Sequence, residues 1–124
     1  MKRDLDLCRD LMLAFEAVPA GQGTSTISLK TEHDAVTVLS HIKLLIDAQL
    51  LEGYCRPIPN NATGGVFQVK DLTWSGHDFV GKAKDETVWG NAKALLKKAG
   101  VWSFELLLEA LKHEASQQLG KLLT

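Results

Sequence analysis

Cysteine is scarce in this chain of 124 residues, in which only Cys8 and Cys55 occur. Neither belongs to a Cys-x-x-Cys pair, so the sequence predicts two reduced structural thiols rather than a disulfide framework. Histidine is equally dispersed, because no His-x₃-His pair is present and no cysteine cluster accompanies it. The sequence therefore predicts no metal site and no cofactor. The four histidines are His33, His41, His77 and His113.

Long apolar runs are absent as well, and none approaches the ~20 residues that a membrane span requires. The first ten residues, MKRDLDLCRD, place charged side chains where a secretory signal has its apolar stretch. We therefore expect a cytoplasmic protein that does not contact a membrane.

Neither basic nor acidic residues are in marked excess, because 14 basic and 15 acidic residues give a formal net charge of −1. The charges are evenly spread, with three basic and four acidic residues in 1–26, four and five in 27–72, and seven and six in 73–124. A tight nucleic-acid binder usually carries a clustered cationic face, because each neutralised phosphate releases counterions. The charge distribution thus weighs against strong DNA binding.

Complete catalytic motifs are lacking too. The sequence contains neither the Gly-x-Ser-x-Gly of an activated serine nor a full Gly-x₄-Gly-Lys-Ser/Thr phosphate loop. Asp85 and Glu86 are paired carboxylates, but they stand at a predicted helix start, where the helix dipole accounts for them. Cys55 and His77 could be imagined as a nucleophile and its base, yet apolar packing is the ordinary role of such a cysteine. We expect no enzymatic activity.

The residues that are present describe one folded domain, with 45% apolar and 23% charged side chains. Asp4 can cap a first helix, in which apolar residues recur at steps of three and four until about Val18. The stretch TSTISL, residues 24–29, alternates and is rich in β-branched side chains. This alternation predicts a short strand.

The most regular helical pattern covers residues 32–50. Thr31 is a natural N-cap with Asp34 at the third helical position, and Gly53 stands where a helix end is expected. One side of this helix is apolar and is predicted to face the core. It comprises Ala35, Val38, Leu39, Ile42, Leu45, Ile46 and Gln49.

A β-hairpin is predicted next, because the strand-like segments 54–58 and 66–72 flank the polar loop 59–65. Start and stop signals then define three further helices. These run from Trp74 to about Lys84, from Asp85 to Gly100, and from Ser103 onward.

Two tracts, VLSHIKLLIDAQLLEG and LTWSGHDF, resemble the winged-helix pattern of many bacterial regulators. In that pattern a helix of the form hxxHLxxLxxxGLI leads into a wing, and the wing returns to LTxxGxxF. The residues that match are His41, Leu44, Leu45, Leu50, Leu51, Leu72, Thr73, Gly76 and Phe79, with Gln49 in place of the usual glycine.

The segments MKRDLDL, LTWSGHDF, DETVW and SFELL, in this order, also resemble a domain family of unknown function common in bacterial and prophage genomes. This resemblance covers nearly the whole chain and implies a small winged-helix-like fold without an established activity. About a dozen residues rich in Gly and Thr separate the first two helices, where a helix-turn-helix has a further helix.

We therefore predict an α+β fold, namely a winged-helix-like domain with a C-terminal helical extension. Its elements are a helix, a short strand, a long helix and a β-hairpin wing, within a single domain of residues 1–124. The winged-helix-like core is predicted to be 1–84 and the helical extension 85–124. Related folds pair through helices beyond the wing, so the resemblance implies a homodimer through residues 86–119.

The functional hypothesis is a non-enzymatic small regulatory or accessory protein of bacterial or prophage origin. It binds another protein through the 32–50 helix and the 54–72 hairpin. The alternative is a winged-helix DNA-binding transcriptional regulator, because Arg and Asn side chains on a wing can contact grooves or phosphates. The candidate contact residues are His33, Thr37, Ser40, Lys43, Leu44, Arg56, Asn60 and Asn61.

The tract LTWSGHDF is predicted to join the hairpin to the next helix. Thr73 caps that helix, and Gly76 permits a close approach because it has no Cβ. We expect Trp74 and Phe79 in the core and His77 as a hydrogen-bonding partner within the junction. A tryptophan left on the surface would instead anchor a partner.

Overall fold

A computed structural model describes residues 2–100 and 103–123. Met1 of the predicted core, and Val101, Trp102 and Thr124 of the predicted extension, lie outside the described residues. Within those ranges the fold is α+β, as predicted, with five helices and one antiparallel hairpin. The elements are α1 Leu5–Glu16, α2 Ala35–Asp47, β1 Leu51–Pro57, β2 Gly65–Leu72, α3 Trp74–Ala83, α4 Glu86–Ala99 and α5 Phe104–Leu123.

The chain divides into two compact units, Met1–Val80 and Gly81–Thr124. The first contains α1, α2 and the hairpin, and the second contains α4 and α5. None of the helices in the described ranges has the length and apolar character needed to cross a bilayer.

Helix α1 begins where the sequence predicts. The Asp4 carboxylate accepts a hydrogen bond from the Leu7 N–H at 3.1 Å, which satisfies one of the free donors of the first turn. The helix ends at Glu16, two residues before the predicted Val18. Its buried side consists of Leu7, Cys8, Leu11, Met12 and Phe15.

Helix α2 is shorter than predicted, and its predicted cap is wrong. Asp34 is the N-cap, because its carboxylate accepts from the Thr37 N–H at 2.8 Å. The Thr31 hydroxyl instead accepts from the His33 N–H at 3.1 Å, which closes a tight turn before the helix. The helix ends at Asp47, and Gly53, the predicted stop, lies within β1.

The hairpin is confirmed, and it contains a β-bulge. Leu51 pairs with Leu72 and Glu52 with Asp71, but Gly53 pairs with Val69, so β2 has one extra residue. The strand β1 begins at Leu51, three residues before the predicted 54–58 segment. The bulge lets Val69 and Leu72 both be buried, although they are three residues apart.

The predicted strand at 24–29 is wrong. Thr24 alone pairs with Val69, through N–H···O bonds of 2.8 and 2.9 Å in both directions. The residues that follow form no strand. Ile27 and Leu29 are nevertheless half-buried while Ser28 between them is exposed, so the alternation in burial persists without strand pairing.

The junction after β2 is partly as predicted. The Thr73 hydroxyl accepts from the Gly76 N–H at 3.0 Å, and a Cβ at Gly76 would collide with the Leu50 carbonyl oxygen. Phe79 is buried, but Trp74 is 85% exposed, so its predicted core position is wrong.

His77 lies within the same junction. Its Nε2 lies 3.8 Å from the Asp71 carboxylate, which is too long for a hydrogen bond, and both side chains are more than half exposed. Among the described residues, His77 therefore lacks the hydrogen-bonding role predicted for its side chain.

In the C-terminal unit the predicted helices are confirmed. Asp85 caps α4 by accepting from the Val88 N–H at 3.0 Å, and Gly100 ends it in the left-handed conformation at φ 70°. The Ser103 hydroxyl caps α5 by accepting from the Leu106 N–H at 3.1 Å. The buried residues of the pair are Val88, Trp89, Ala92, Leu96, Leu107, Ala110 and Leu111.

Candidate functional site

A groove of about 610 Å³ lies in the N-terminal unit, between residues 25–33, α2 and the end of the hairpin. We call residues 25–33 the connecting segment. The groove volume falls within the range of roughly 300–1,000 Å³ that is typical of ligand sites. Its apolar lining residues are Ile27, Leu29, Ala35, Val38, Leu39, Ile42, Val66 and Phe67. Its polar lining residues are Ser25, Thr26, Thr31, His33 and Thr63.

Helix α2 forms the floor of the groove. Val38, Leu39 and Ile42 follow one another at helical spacing, so they share the side of α2 that the sequence assigns to the core. Leu39 and Ile42 are buried, whereas Val38 is only half-buried. Because the connecting segment forms no strand, this side of α2 is not fully covered and the groove remains.

One edge of β2 forms a wall of the groove. Both the N–H and the C=O of Val69 bond to Thr24 on the side away from β1. Since backbone groups alternate along an antiparallel strand, those of Phe67 point toward the same side. No other described residue forms a hydrogen bond with the Phe67 N–H or C=O on that side. The Phe67 ring packs edge-on against Phe15, with 6.1 Å between the ring centroids.

At one end of the groove, His33 belongs to a cluster with Asp4 and His41. The His33 Nε2 lies 2.8 Å from the Asp4 carboxylate, and the Asp4 N–H donates to the His41 Nε2 at 2.9 Å. His41 is fully buried, and its Nδ1 lies 2.8 Å from the Thr37 carbonyl oxygen. Because Nε2 accepts a hydrogen bond, Nδ1 carries the N–H of the ring and donates a hydrogen bond to the Thr37 carbonyl oxygen. This cluster connects the starts of α1 and α2.

The cluster changes the protonation behaviour of Asp4. Burial raises the pKa of this carboxyl, but the hydrogen bond from Leu7 and the interaction with His33 outweigh that effect. The pKa of Asp4 therefore lies below its ordinary value. Asp4 is ionised at neutral pH, where it both caps α1 and pairs with the His33 ring.

Sequence reasoning did not identify the role of His41, since it placed this residue only within the winged-helix resemblance. The one available signal is its position immediately before Ile42 on an apolar helix. Buried histidines ordinarily satisfy both ring nitrogens, as His41 does with Asp4 and Thr37.

The groups around the groove are suited to recognition. Among residues 2–100 and 103–123, no three His, Cys, Asp or Glu side chains are grouped so that they could hold a metal. The described hydroxyls and thiols form no hydrogen bond with the His33 or His41 ring, so no nucleophile is paired with a base there. The groove presents apolar side chains, hydroxyls and a strand edge.

Residues 76–82 have the Gly-x₄-Gly-Lys spacing of a phosphate-binding loop, but Ala83 stands where the motif requires Ser or Thr. They lie inside α3, where backbone N–H groups are used by the helix itself. The spacing therefore does not form a phosphate loop.

The candidate contact residues of α2 are distributed over different environments. His33 lines the groove. The Thr37 N–H binds the Asp34 cap, and the Ser40 hydroxyl donates to the Val36 carbonyl at 2.9 Å. Leu44 is half-buried.

Lys43 is the cation on this side of α2. Its Nζ donates to the Asp47 carboxylate at 2.8 Å, and this hydrogen bond raises the pKa of Lys43. The positive charge is thus held beside a negative one, which weakens its attraction for a phosphate.

The candidate contact residues of the hairpin lie either in its loop or at an exposed position on β1. Arg56 is exposed on β1. Asn60 has a left-handed backbone at φ 60°, which asparagine tolerates. The Asn61 side chain accepts from the Thr63 N–H at 2.9 Å and from its hydroxyl at 2.6 Å, which stabilises the turn. Of the eight candidates, only His33 lines the groove.

A second depression, of about 530 Å³, lies beside Trp74 and Gln49 in the same unit. Trp74 is the most exposed aromatic side chain among the described residues. Gln49 has a left-handed backbone at φ 63°, where the chain turns from α2 toward β1. Its lining also includes Leu51, Glu52 and Gly53 of β1.

Comparison with known proteins gives one family and one full-length relative. A family model described as "Hypothetical protein (DUF2513)" matches residues 2–102. An "Uncharacterized protein" of Haemophilus influenzae is 32% identical over 123 residues, which cover 99% of this chain and 99% of the relative. No solved structure matches the chain. The winged-helix likeness therefore rests on the two sequence tracts and on the order of helices and strands, without support from a solved structure.

Proposed function

Because the chain belongs to the DUF2513 family, whose description states no activity, we propose a function from the groove itself. The protein is a non-enzymatic regulatory or accessory protein of bacteria that binds another protein at this groove. The observation that carries the proposal is the combination of an apolar floor on α2 with an unpaired edge of β2.

The charge of the groove supports a protein partner. His33 is the one ionisable side chain among the lining residues, and it is paired with Asp4. The remaining lining is apolar or carries uncharged hydroxyls. An uncharged, apolar surface suits a polypeptide segment, because burying apolar area drives most protein association.

The alternative function, DNA-binding transcriptional regulation, has weaker support. Phosphate contacts require free cations or hydrogen-bond donors at the interface. Lys43 is paired with Asp47, so its charge is already matched by a carboxylate. Arg56 and Lys70 are the exposed cations of the hairpin, and Arg56 is the candidate contact residue on which the alternative depends.

The test is photocrosslinking in bacterial cells that encode the chain, with p-benzoylphenylalanine in place of Val66. Val66 is 48% exposed and lines the groove. The matched control carries the same group in place of Lys70, which is exposed on the same strand four residues further on. We expect a crosslinked protein from position 66 and none from position 70. Equal crosslinking from both positions, or none from position 66, would contradict the proposal.

The DNA alternative is tested with a random duplex at about 50 mM salt, where non-specific binding is strongest. We expect no shift in electrophoretic mobility. A shift that disappears in Arg56→Ala, and that weakens steeply with added salt, would favour DNA binding instead.

We also propose that the C-terminal helices pair two copies of the chain. The last turn of α5 exposes Leu122 and Leu123, at 83% and 77%, and Leu119 is exposed one turn earlier. Sedimentation equilibrium tests this pairing, which predicts a dimer that Leu122→Asp converts to a monomer. A monomeric wild-type chain at about micromolar concentration would exclude it.

A further inference from the structure

We propose that the groove accepts an extended, uncharged segment of the partner protein as an added strand on the edge of β2. Its apolar side chains lie at alternate positions and point toward the floor on α2. This inference rests on the proposed function, which requires only that a protein bind at the groove, and it adds how the partner binds.

The edge of β2 supplies the hydrogen bonds. The Phe67 N–H and C=O face away from β1, beside Val69, whose own groups already bond to Thr24 in the manner of strand pairing. An unpaired strand edge is a template for a further strand, since its backbone donors and acceptors lack protein partners. A partner residue opposite Phe67 can form two backbone hydrogen bonds with it, as Thr24 does with Val69.

The connecting segment supplies the opposite side of the groove. From residue 25 to residue 30, its backbone forms no hydrogen bond with the backbone of any other described residue. The Thr26 carbonyl accepts from the side-chain hydroxyl of Thr24 at 2.6 Å. Ile27 and Leu29 are half-buried and line the groove. An incoming segment thus meets apolar side chains on this side as well as a strand edge on the other.

The floor selects the side chains. In a strand, successive side chains point to opposite faces, so every second residue of the partner faces Val38, Leu39 and Ile42. Apolar residues at those positions bury the half-exposed Val38. The lining offers no ionisable group except His33, which is already paired with Asp4, so a charged side chain directed inward would lose hydration without gaining a partner.

The hairpin limits the length of the added strand. At one end Thr24 occupies the edge opposite Val69. At the other end the chain enters the loop, where the Thr63 hydroxyl oxygen lies 3.1 Å from the Gly65 carbonyl oxygen. The free part of the edge therefore centres on Phe67, and it accommodates a short strand of about three to five residues.

The connecting segment is the competing occupant. If the pairing of Thr24 with Val69 continued in the same antiparallel register, Thr26 would lie opposite Phe67. The segment departs from this register directly after Thr24, although its sequence alternates as a strand does. Closure by this segment is therefore a distinct outcome that the experiment must detect.

The test uses the full chain, labelled with ¹⁵N, and the blocked hexapeptide acetyl-TVTITV-amide as the probe. We expect saturable binding with chemical-shift changes confined to the groove, and about tenfold slower hydrogen exchange of the Phe67 amide when the site is filled. The same peptide with N-methyl groups on alternate amides keeps its side chains but loses donors. It should bind about tenfold more weakly.

A pair of matched variants tests the floor. Val38→Thr replaces a methyl group by a hydroxyl of similar shape, and we expect about tenfold weaker peptide binding. Val36→Thr makes the same change two residues earlier, at a position 53% exposed, and should leave binding unchanged. The ¹⁵N spectrum of each variant, compared with that of the wild type, establishes that it is folded.

Three results would overturn strand addition. The first is equal affinity for the N-methylated peptide, and the second is the absence of binding or shifts that lie outside the groove. The third is a Phe67 amide that is already protected without peptide, because the connecting segment would then occupy the edge. If position 66 still crosslinks to a protein in cells, the proposed function survives any of these results. Loss of both signals removes both.

Discussion

In the N-terminal unit, hydrogen bonds join residues that are far apart along the chain. The Asp4 N–H reaches His41, and the Thr73 hydroxyl donates to the Gln49 carbonyl at 2.6 Å. In the C-terminal unit, α4 and α5 each begin at a cap only three residues from the group it binds. There the two helices pack through a single set of apolar side chains, and the hydrogen bond from Asn91 to Glu114 between them is long, at 3.4 Å, and exposed.

The two units differ in the interactions that stabilise them. The helix pair depends on burial of apolar area, which is distributed over several side chains at helical spacing. The N-terminal unit also depends on a few polar groups that join distant parts of the chain, among them the fully buried His41 ring, whose two nitrogens bond to Asp4 and Thr37. Substitutions at matched positions in the two units can measure this difference, and native-state hydrogen exchange reports each unit separately.

The largest effect is expected for Leu107→Ala in the C-terminal unit. Leu107 is fully buried, so its truncation leaves a cavity and should cost about 3 kcal/mol of the stability of that unit. Hydrogen exchange should quicken in α4 and α5 and stay unchanged in α1 and α2. The control, Leu106→Ala, truncates the preceding residue, which is 40% exposed, and should cost less than about 1 kcal/mol. Equal costs for the two variants would contradict the assignment of the apolar seam.

Gly76→Ala should be the next most damaging change, and it acts on the N-terminal unit. The added Cβ would collide with the Leu50 carbonyl oxygen, a backbone atom that cannot rotate away. We expect a loss of about 2–3 kcal/mol in chemical denaturation. The matched control is Gly90→Ala in α4, where the Cβ enters open space and a glycine within a helix is replaced by the better helix former. That variant should gain about 0.5–1 kcal/mol. A change in the free energy of unfolding of the same sign for both variants would contradict this contrast.

His41→Leu should cost about 2 kcal/mol, because it leaves the half-buried Asp4 N–H and the Thr37 carbonyl without their ring partner. Hydrogen exchange should quicken at the start of α1 before it changes elsewhere. His77→Leu makes the same exchange at an exposed histidine, and should alter stability by less than about 0.5 kcal/mol. A larger effect at His77 than at His41 would show that the cluster does not stabilise the unit.

The smallest predicted effect is a loss of stability in alkali that is confined to the N-terminal unit, which contains both cysteines. Burial raises the pKa of the Cys8 thiol to about 11. A raised pKa means that the neutral thiol is favoured in the fold. Its contribution is therefore complete below about pH 9 and is lost as the pH rises toward 11.

Between about pH 8 and pH 10, the wild type should lose about 1 kcal/mol more than Cys8→Ala does. Cys55→Ala is the control, since burial also raises the pKa of that thiol but its side chain is only half-buried. The same pH dependence in the wild type and Cys8→Ala would exclude this role for Cys8.

Local signals predict the helices well in both units. The caps at Asp4, Asp85 and Ser103 are where the sequence places them, because capping uses side chains and N–H groups three residues apart. The cap of α2 was assigned wrongly, since Thr31 and Asp34 are both good caps at this site. The Asp34 carboxylate is the one that reaches the helical N–H, while Thr31 closes a preceding turn.

Non-local features are harder to predict. The stretch 24–29 has the alternation of a strand, and Ile27 and Leu29 do lie on one side. Whether such a stretch pairs depends on an edge more than forty positions away, about which local propensity carries no information. The hydrogen bond between Asp4 and His41 has no local signal either.

The candidate contact residues illustrate the same limit. Helical periodicity assigns Val38 and Ile42 to the core and Lys43 to the surface, and the structure agrees for Ile42 and Lys43. Periodicity cannot reveal that the connecting segment leaves the apolar side of α2 partly uncovered. The groove therefore contains residues expected in the core, while most of the predicted contact residues lie elsewhere.

The bulge in the hairpin constrains how the chain can change length during evolution. The extra residue of β2 allows Val69 and Leu72 to face the interior together. Deleting Lys70 would restore regular pairing and turn one of those two side chains toward water. Insertions and deletions among relatives should therefore fall in the loop 58–64 and be rare between Gly65 and Leu72. The burial of two side chains, and not the turn, sets the permitted length of this hairpin.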